Sequence, residues 1–163
     1  MTSHDIAKRP YRRGVGVVLT NTQGAIFAGQ RADKITSAWQ MPQGGIEPNE
    51  TPLQAAYREL HEETGVQAQH VTHKGETAQW LNYDLPADMA ARLWGGRYRG
   101  QTQKWMWFQL DALDDVIDLT LDDVEFSAWR WMAAAELLTR IVPFKRDLYT
   151  AVLGEFGLLG LGR

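Results

Sequence analysis

The chain predicts an α/β domain of the α+β kind, a mixed sheet packed between helices, and three observations carry that expectation. Strand-like alternation flanks a single strongly helical stretch in the first half of the chain. That stretch runs between a start signal at Glu50-Thr51-Pro52 and a glycine stop at Gly65. A second helical repeat, Phe144, Leu148, Val152 and Phe156, closes the chain after Pro143. Strands around one helix with another at the end suit helices laid on a sheet. With 163 residues, 44% of them hydrophobic and 23% charged, one soluble domain with a full core is expected.

Taken in order, residues 1–10 read as a polar, loose leader ending at Pro10. A single domain follows over 11–158, and 159–163 form a tail. Arg13 to Thr20 alternates as a strand with Val15, Val17 and Leu19 on one face. Asn21-Thr22-Gln23-Gly24 turns it into a returning strand, Ala25 to Arg31, so the pair reads as a hairpin. Residues 32–43 read as a loop. Thr51 to Thr64 is the helix, with Leu53, Ala56, Tyr57 and Leu60 as its buried stripe. Val66 to Tyr83 is strand material broken near Lys74-Gly75. Asp84 to Gly100 is an inserted loop, and Gln101 to Leu110 a strand rich in aromatics. An acidic loop spans Asp111 to Glu125. A last strand, Phe126 to Met132, leads to a short helix, Ala133 to Arg140, and the terminal helix begins at Pro143.

Several classes are disfavoured by composition. A net charge of −3 offers no general attraction to nucleic acid, so any RNA contact must be local. The absence of cysteine excludes disulfide and thiol chemistry. Met1 to Gly14 lacks the apolar core of a signal peptide, and no apolar run approaches the roughly 18 residues of a membrane span. A cytoplasmic location without membrane contact is the expectation, and no stable protein partner is implied.

The chemistry concentrates between Gly44 and Val66, GGIEPNETPLQAAYRELHEETGV. On a helix Glu59, Glu62 and Glu63 are spaced i, i+3, i+4, so three carboxylates share one face and repel by a few tenths of a kcal/mol or more per pair. A cation removes that repulsion, and hard oxygen ligands favour magnesium, with manganese as the alternative. Arg58 cannot lose its proton and grips carboxylates with a two-pronged fork, which assigns it to orienting a glutamate, Glu50 in the first instance. A bare E-x-x-E-E string is usually a solvated helix face; Gly44, Glu50, Arg58 and Gly65 in fixed register set this one apart.

The segment resembles the Nudix box, G-x5-E-x7-R-E-U-x-E-E-x-G-U with U aliphatic, at every defined position. The resemblance implies the Nudix fold and divalent-metal hydrolysis of a nucleoside diphosphate linked to another group. It reaches over roughly Tyr11 to Phe156. Tyr11-Arg12-Arg13-Gly14, Trp39-Gln40-Met41-Pro42-Gln43, Gln103-Lys104-Trp105, Glu125-Phe126, Trp129-Arg130-Trp131 and Phe144-Lys145-Arg146 resemble one Nudix branch. That branch holds bacterial RNA 5′-pyrophosphohydrolases and asymmetric diadenosine tetraphosphate hydrolases. It implies removal of pyrophosphate from 5′-triphosphate RNA ends or, alternatively, cleavage of diadenosine tetraphosphate to ATP and AMP. Tyr83-Asp84-Leu85-Pro86 and the region to Arg99 are similar to members of both kinds that carry an insertion there. An inactive nucleotide-binding module, the third reading, would be expected to lack a box glutamate, and none is lacking.

Each candidate residue then has a role. Glu59, Glu62 and Glu63 are metal ligands, one of them serving as base toward water. The resemblance adds the Gly44 carbonyl and Glu125 as further ligands. Lys104 is a candidate for phosphate contact, since departing phosphates need a cation. Arg12 and Arg31 lie on adjacent strands and could clamp phosphate oxygens. Phe144 and Tyr83 are candidates to stack on a base, or else to pack in the core. The tryptophans read as core and sheet fillers, with Trp39, just before the box, the one considered for a ligand. His4, His61, His70 and His73 are not spaced as a zinc site.

Overall fold

The computed structural model describes residues 3–32, 37–121 and 124–160, with the side chains of residues 3 and 4 outside that description. Parts of the expected leader, of the loop at 32–43, of the acidic loop and of the tail therefore fall outside the described residues, as does the His4 side chain.

A mixed sheet organises the chain. Its strands are β1 (Tyr11–Thr20), β2 (Ile26–Arg31), β3 (Trp39–Gln40), β4 (Gln43–Gly45), β5 (Val71–Glu76), β6 (Leu81–Asp84), β7 (Gly100–Leu110) and β8 (Phe126–Met132). Strand order along the main path is β3-β2-β1-β7-β5, with β4 on β1, β6 on β7 and β8 on β2. β1 and β7 run parallel from Tyr11↔Gly100 to Thr20↔Gln109, and every other pairing is antiparallel.

The helices cover both faces of this sheet, as the sequence predicts. Helix α2 (Pro52–Thr64) lays Leu60 and its neighbours over Val15, Val17, Leu19, Phe27 and Phe108. On the other face α4 (Ala134–Arg140) and α5 (Arg146–Glu155) bring Leu137, Leu148, Tyr149 and Val152 against Val18 and Trp105. The alternation of Val17 and Val18 between the two cores is the period-two signature of a strand buried on both faces.

The structure differs from the sequence reading in five places. The hairpin of β1 and β2 keeps only Thr20↔Ile26 in register, because β1 gives the rest of that edge to β4, with Gly14↔Gly45, Val15↔Gly44 and Gly16↔Gln43. The supposed loop at 32–43 thus contains β3 and the start of β4. Ser3–Ala7 forms the short helix α1, and Ile6 is buried against the same core as Ala90 rather than lying in a loose leader. The inserted loop holds α3 (Ala87–Arg92) and a 3-10 turn, Leu93–Gly96. The terminal helix begins three residues late, since Pro143–Lys145 forms a separate 3-10 turn.

Candidate active site

Helix α2 starts and stops where its sequence says. The Thr51 hydroxyl accepts from the Gln54 amide at 3.1 Å and the Gln54 side chain accepts from the Thr51 amide at 2.9 Å, a reciprocal cap. At the other end Gly65 adopts φ 79° and donates to the His61 carbonyl at 2.8 Å. Between these ends the helix lies against β4, the strand that carries Gly44 and Gly45.

Arg58 is the hub of the acidic face. It grips Glu50 with both prongs, Nε to Oε2 at 2.8 Å and Nη2 to Oε1 at 2.9 Å, as expected. It also donates to the Gly45 carbonyl at 2.8 Å, to Glu59 at 2.8 Å and to Glu62 at 3.3 Å. These bonds hold the Glu50 carboxyl below its ordinary range and strengthen the hold of Arg58 on its own proton.

Glu59 and Glu63 are different. Burial pushes the Glu59 carboxyl up to about 7, with Glu62 and Glu125 adding repulsion that Arg58 only partly offsets. Glu63 is 6% exposed and is raised well above its usual value by burial first, then by Glu59 and Glu125. Its Oε2 finds no hydrogen-bond partner among the described residues. Glu125 reaches this group from the entry of β8, 3.6 Å from the Arg31 guanidinium. Gly44 closes the other side: a Cβ there would collide with the Glu59 carboxyl, so only glycine lets strand and carboxylate approach this closely.

Among the described residues no three acidic or histidine side chains already converge as a metal cage; Arg58 draws Glu59 and Glu62 toward itself instead. The donor set nonetheless fits a hard divalent cation. It offers an orphaned buried carboxylate oxygen on Glu63, repelling carboxyls on Glu59, Glu62 and Glu125, and a glycine strand packed against them. Each is an oxygen ligand of the kind magnesium or manganese takes.

Beside this acidic group opens a cleft of about 440 Å³. Arg31, Gln43, Gln101 and Lys145 form its polar side, while Leu85, Met89, Leu93, Trp94, Val142 and Phe144 form its apolar wall. Tyr83 lies between them, 94% buried, its hydroxyl accepting from Gln101 at 2.9 Å and its ring 6.0 Å from that of Phe144. Phe144 is half-buried, lining the cleft and packing against the core that holds Leu148 and Val152. Arg12 stacks on Trp94 at the cleft's end, its guanidinium 4.9 Å from the ring centre.

Lys104 does not join them. Its ammonium donates to the carbonyls of Thr77 at 2.9 Å and Ala78 at 3.2 Å and lies 3.9 Å from Glu76, clamping the β5–β6 connection. In this arrangement its ammonium serves the β5–β6 connection and lies apart from the residues that line the cleft. Trp39 likewise faces Arg130, 5.3 Å from its ring, and packs on the α5 side of the core.

Sequence reasoning missed Lys145 and Trp94. Lys145 is buried, with its ammonium 3.3 Å from Gln43; burial and the neighbouring Arg31 bring it down to about 8, against the pull of Glu63 and Glu125. Its place directly after Pro143-Phe144 was the available signal, since a proline-started turn can face a residue inward where a continuous helix would not. Trp94 sits in the insertion, where no periodicity marks it.

Comparison with known proteins agrees with this geometry. A family model described as NUDIX domain matches residues 10–152. A relative from Roseobacter denitrificans, called RNA pyrophosphohydrolase, is 53% identical over 156 residues, covering 96% of this chain and 98% of the relative. One from Rhodospirillum rubrum under the same name is 49% identical, covering 90% and 87%. The Escherichia coli dihydroneopterin triphosphate pyrophosphohydrolase superimposes with a TM-score of 0.68 at 21% identity, covering 90% of this chain and 99% of that one. A Caenorhabditis elegans Ap4A hydrolase complex gives 0.66 at 19%, covering 89% and 96%, a likeness of fold. The chain belongs to the Nudix family and is a hydrolase of phosphoanhydride bonds.

Proposed function

We propose that this hydrolase removes pyrophosphate from the 5′-triphosphate end of RNA and leaves a 5′-monophosphate. The observation that carries the reading is a cleft with cations on one side and aromatic rings on the other, opening beside the buried carboxylates. Relatives of about half identity that bear the name RNA pyrophosphohydrolase support it. A phosphate chain leaving the acidic group would meet Arg31, Lys145 and Arg12, whose charges offset the negative charge that grows on the leaving pyrophosphate. Phe144 and Tyr83 would receive a base on their ring faces.

Glu59, Glu62, Glu63 and Glu125, with the Gly44 carbonyl, would hold divalent metal, Mg2+ in the first instance and Mn2+ as a substitute. When bound, the metal supplies positive charge to the phosphates and acidifies water in its reach. Water oxygen forms the new bond to phosphorus, the anhydride P–O bond breaks, and the water's proton passes to one of the glutamates Glu59, Glu62 or Glu63. Arg58 binds no substrate in this scheme; it holds Glu50, Gly45 and two of the carboxylates in place. The cytoplasm, where RNA 5′ ends are processed during mRNA decay, is the location that goes with it. No helix among the described residues is long and apolar enough to cross a membrane.

The second reading is cleavage of diadenosine tetraphosphate to ATP and AMP. The Tyr83–Phe144 pair favours it, because a stacked base needs no strand behind it. RNA labelled at its γ-phosphate and along its length, incubated with protein and magnesium, separates the cases. The expected products are full-length RNA with a 5′-monophosphate and released pyrophosphate, or phosphate in steps. Shortened RNA would mean a nuclease, and intact triphosphate ends beside rapid loss of diadenosine tetraphosphate would select the second reading.

A further inference from the structure

Trp94 carries a conformation that packing alone does not explain. Its backbone is left-handed, φ 51° and ψ 36°, a region bulky residues rarely adopt. Such strain persists only where surrounding contacts hold it, and it clusters where a side chain must be aimed. Gly95 and Gly96 follow at positive φ, so the chain turns tightly and presents the indole to the end of the cleft.

Arg12 lies against that indole, 4.9 Å from its ring centre, well within cation–π range. The guanidinium also packs closely on Gly45, where a Cβ would collide with it. The Gly45 carbonyl is in turn fixed by Arg58. The guanidinium therefore touches both the insertion and the first residues of the box. Among the described residues its N–H groups enter no hydrogen bond or ion pair. A planar cation held by two neighbours, with unused donors at its rim, is set to receive oxygen acceptors edge-on.

We propose that Trp94 is a positioning residue for the phosphate chain of the substrate, its indole holding the Arg12 guanidinium flat against Gly45 at the passage from cleft to carboxylates. The inference rests on the phosphoanhydride-hydrolase reading of this site and is indifferent to whether the chain is attached to RNA or to a second nucleoside. Without the indole, Arg12 keeps its charge and loses its orientation. The effect should therefore fall on capture of the phosphates, and it should vanish once Arg12 itself is removed.

The test is calorimetric binding of a methylene-bridged, non-hydrolysable ATP analogue in the presence of magnesium, with melting temperatures recorded alongside. Trp94→Leu, which keeps apolar bulk without a π-face, should weaken binding about 3- to 30-fold. Trp94→Phe should stay within about threefold of the parent. Arg12→Ala should weaken binding about 10-fold or more, and the double variant should bind no worse than Arg12→Ala alone. Binding of Trp94→Leu equal to the parent's, or a loss that adds in full to that of Arg12→Ala, overturns the proposal, as does failure of the parent protein to bind the analogue. Should Trp94→Leu fail to fold, a loss beyond about threefold in Trp94→Phe, or unchanged binding in Arg12→Ala, overturns it equally. Turnover of triphosphorylated RNA is scored separately, so loss of the RNA reading leaves the binding series to decide the role of Trp94.

Discussion

The acidic face of α2 and the cleft beside it are built in opposite ways. The face is local: Glu50, Arg58, Glu59, Glu62 and Glu63 lie within 14 consecutive residues; the helix spaces the last four, and the Arg58 fork ties in Glu50, which precedes the helix. The cleft is assembled from Arg12 and Arg31 in the first strands, Tyr83 and Trp94 around the insertion, and Phe144 and Lys145 before the last helix. The difference teaches where each kind of chemistry can be stored. Charge stabilisation at the reacting phosphorus needs rigid spacing, which one helix supplies. Recognition of the rest of the substrate needs walls, which only tertiary contacts supply.

The largest expected effect breaks the local half. Glu63→Gln should lower kcat by about 10²-fold or more with magnesium present, because the carboxylate's charge matters more than its shape. The melting temperature should not fall, since a neutral amide replaces a buried, mutually repelled carboxyl. Retention of more than about a tenth of the parent rate would refute the role.

Metal removal sharpens the same half. The Glu59 carboxyl lies near 7 in the folded protein against 4.5 when unperturbed, so the unfolded chain gives up its proton first. A raised carboxyl contributes its full stability below pH 4.5 and loses it as pH climbs through 7. Chelated protein should therefore lose of the order of 3 kcal/mol across that window. Glu63, shifted the same way, should steepen the fall. Magnesium should raise the unfolding midpoint, and more so at pH 7.5 than at pH 5. A midpoint that is flat with pH, or blind to magnesium, would remove the cation from this group of carboxylates.

The dispersed half should respond in binding. Phe144→Ala should raise KM by an amount equivalent to about 1–3 kcal/mol while kcat holds, if its ring receives a base. An unchanged KM in a stably folded variant would leave Phe144 as wall packing only. Smallest of all should be Lys104→Ala. With its ammonium committed to the Thr77 and Ala78 carbonyls, it should cost about 1 kcal/mol of stability and shift KM by less than about threefold. A tenfold rise in KM would return Lys104 to the phosphates.

What could be read from the sequence follows the same division. The alternation of Val15, Val17 and Leu19, the caps of α2 and the Arg58–Glu50 fork were all legible, because each depends on neighbours within a few residues. Glu125 was found only through the resemblance; nothing local distinguishes a glutamate at a strand entry. Lys145 was faintly marked at best, by the proline-started turn before it, because lysine is nearly always solvated and its burial depends on Tyr83, Gln43 and the acidic group, all distant in sequence. Lys104 shows the converse limit of local reading. A lone cation in an aromatic strand suggests an anion, whereas main-chain carbonyls of the neighbouring β5–β6 connection satisfy it.

The parallel pairing of β1 with β7 has a consequence for how this molecule comes into being. Tyr11 must find Gly100 and Thr20 must find Gln109, each 89 residues further along. Closing so long a loop is entropically slow, and parallel strands give nothing back until the closure is made. β4 docks on the edge that β1 leaves open, so Gly44 gains its position only when β1 is in place. Refolding should therefore show α2 gaining helicity early, while the bed that receives its glutamates waits on long-range pairings, β1 with β7 and, over still more chain, β2 with β8.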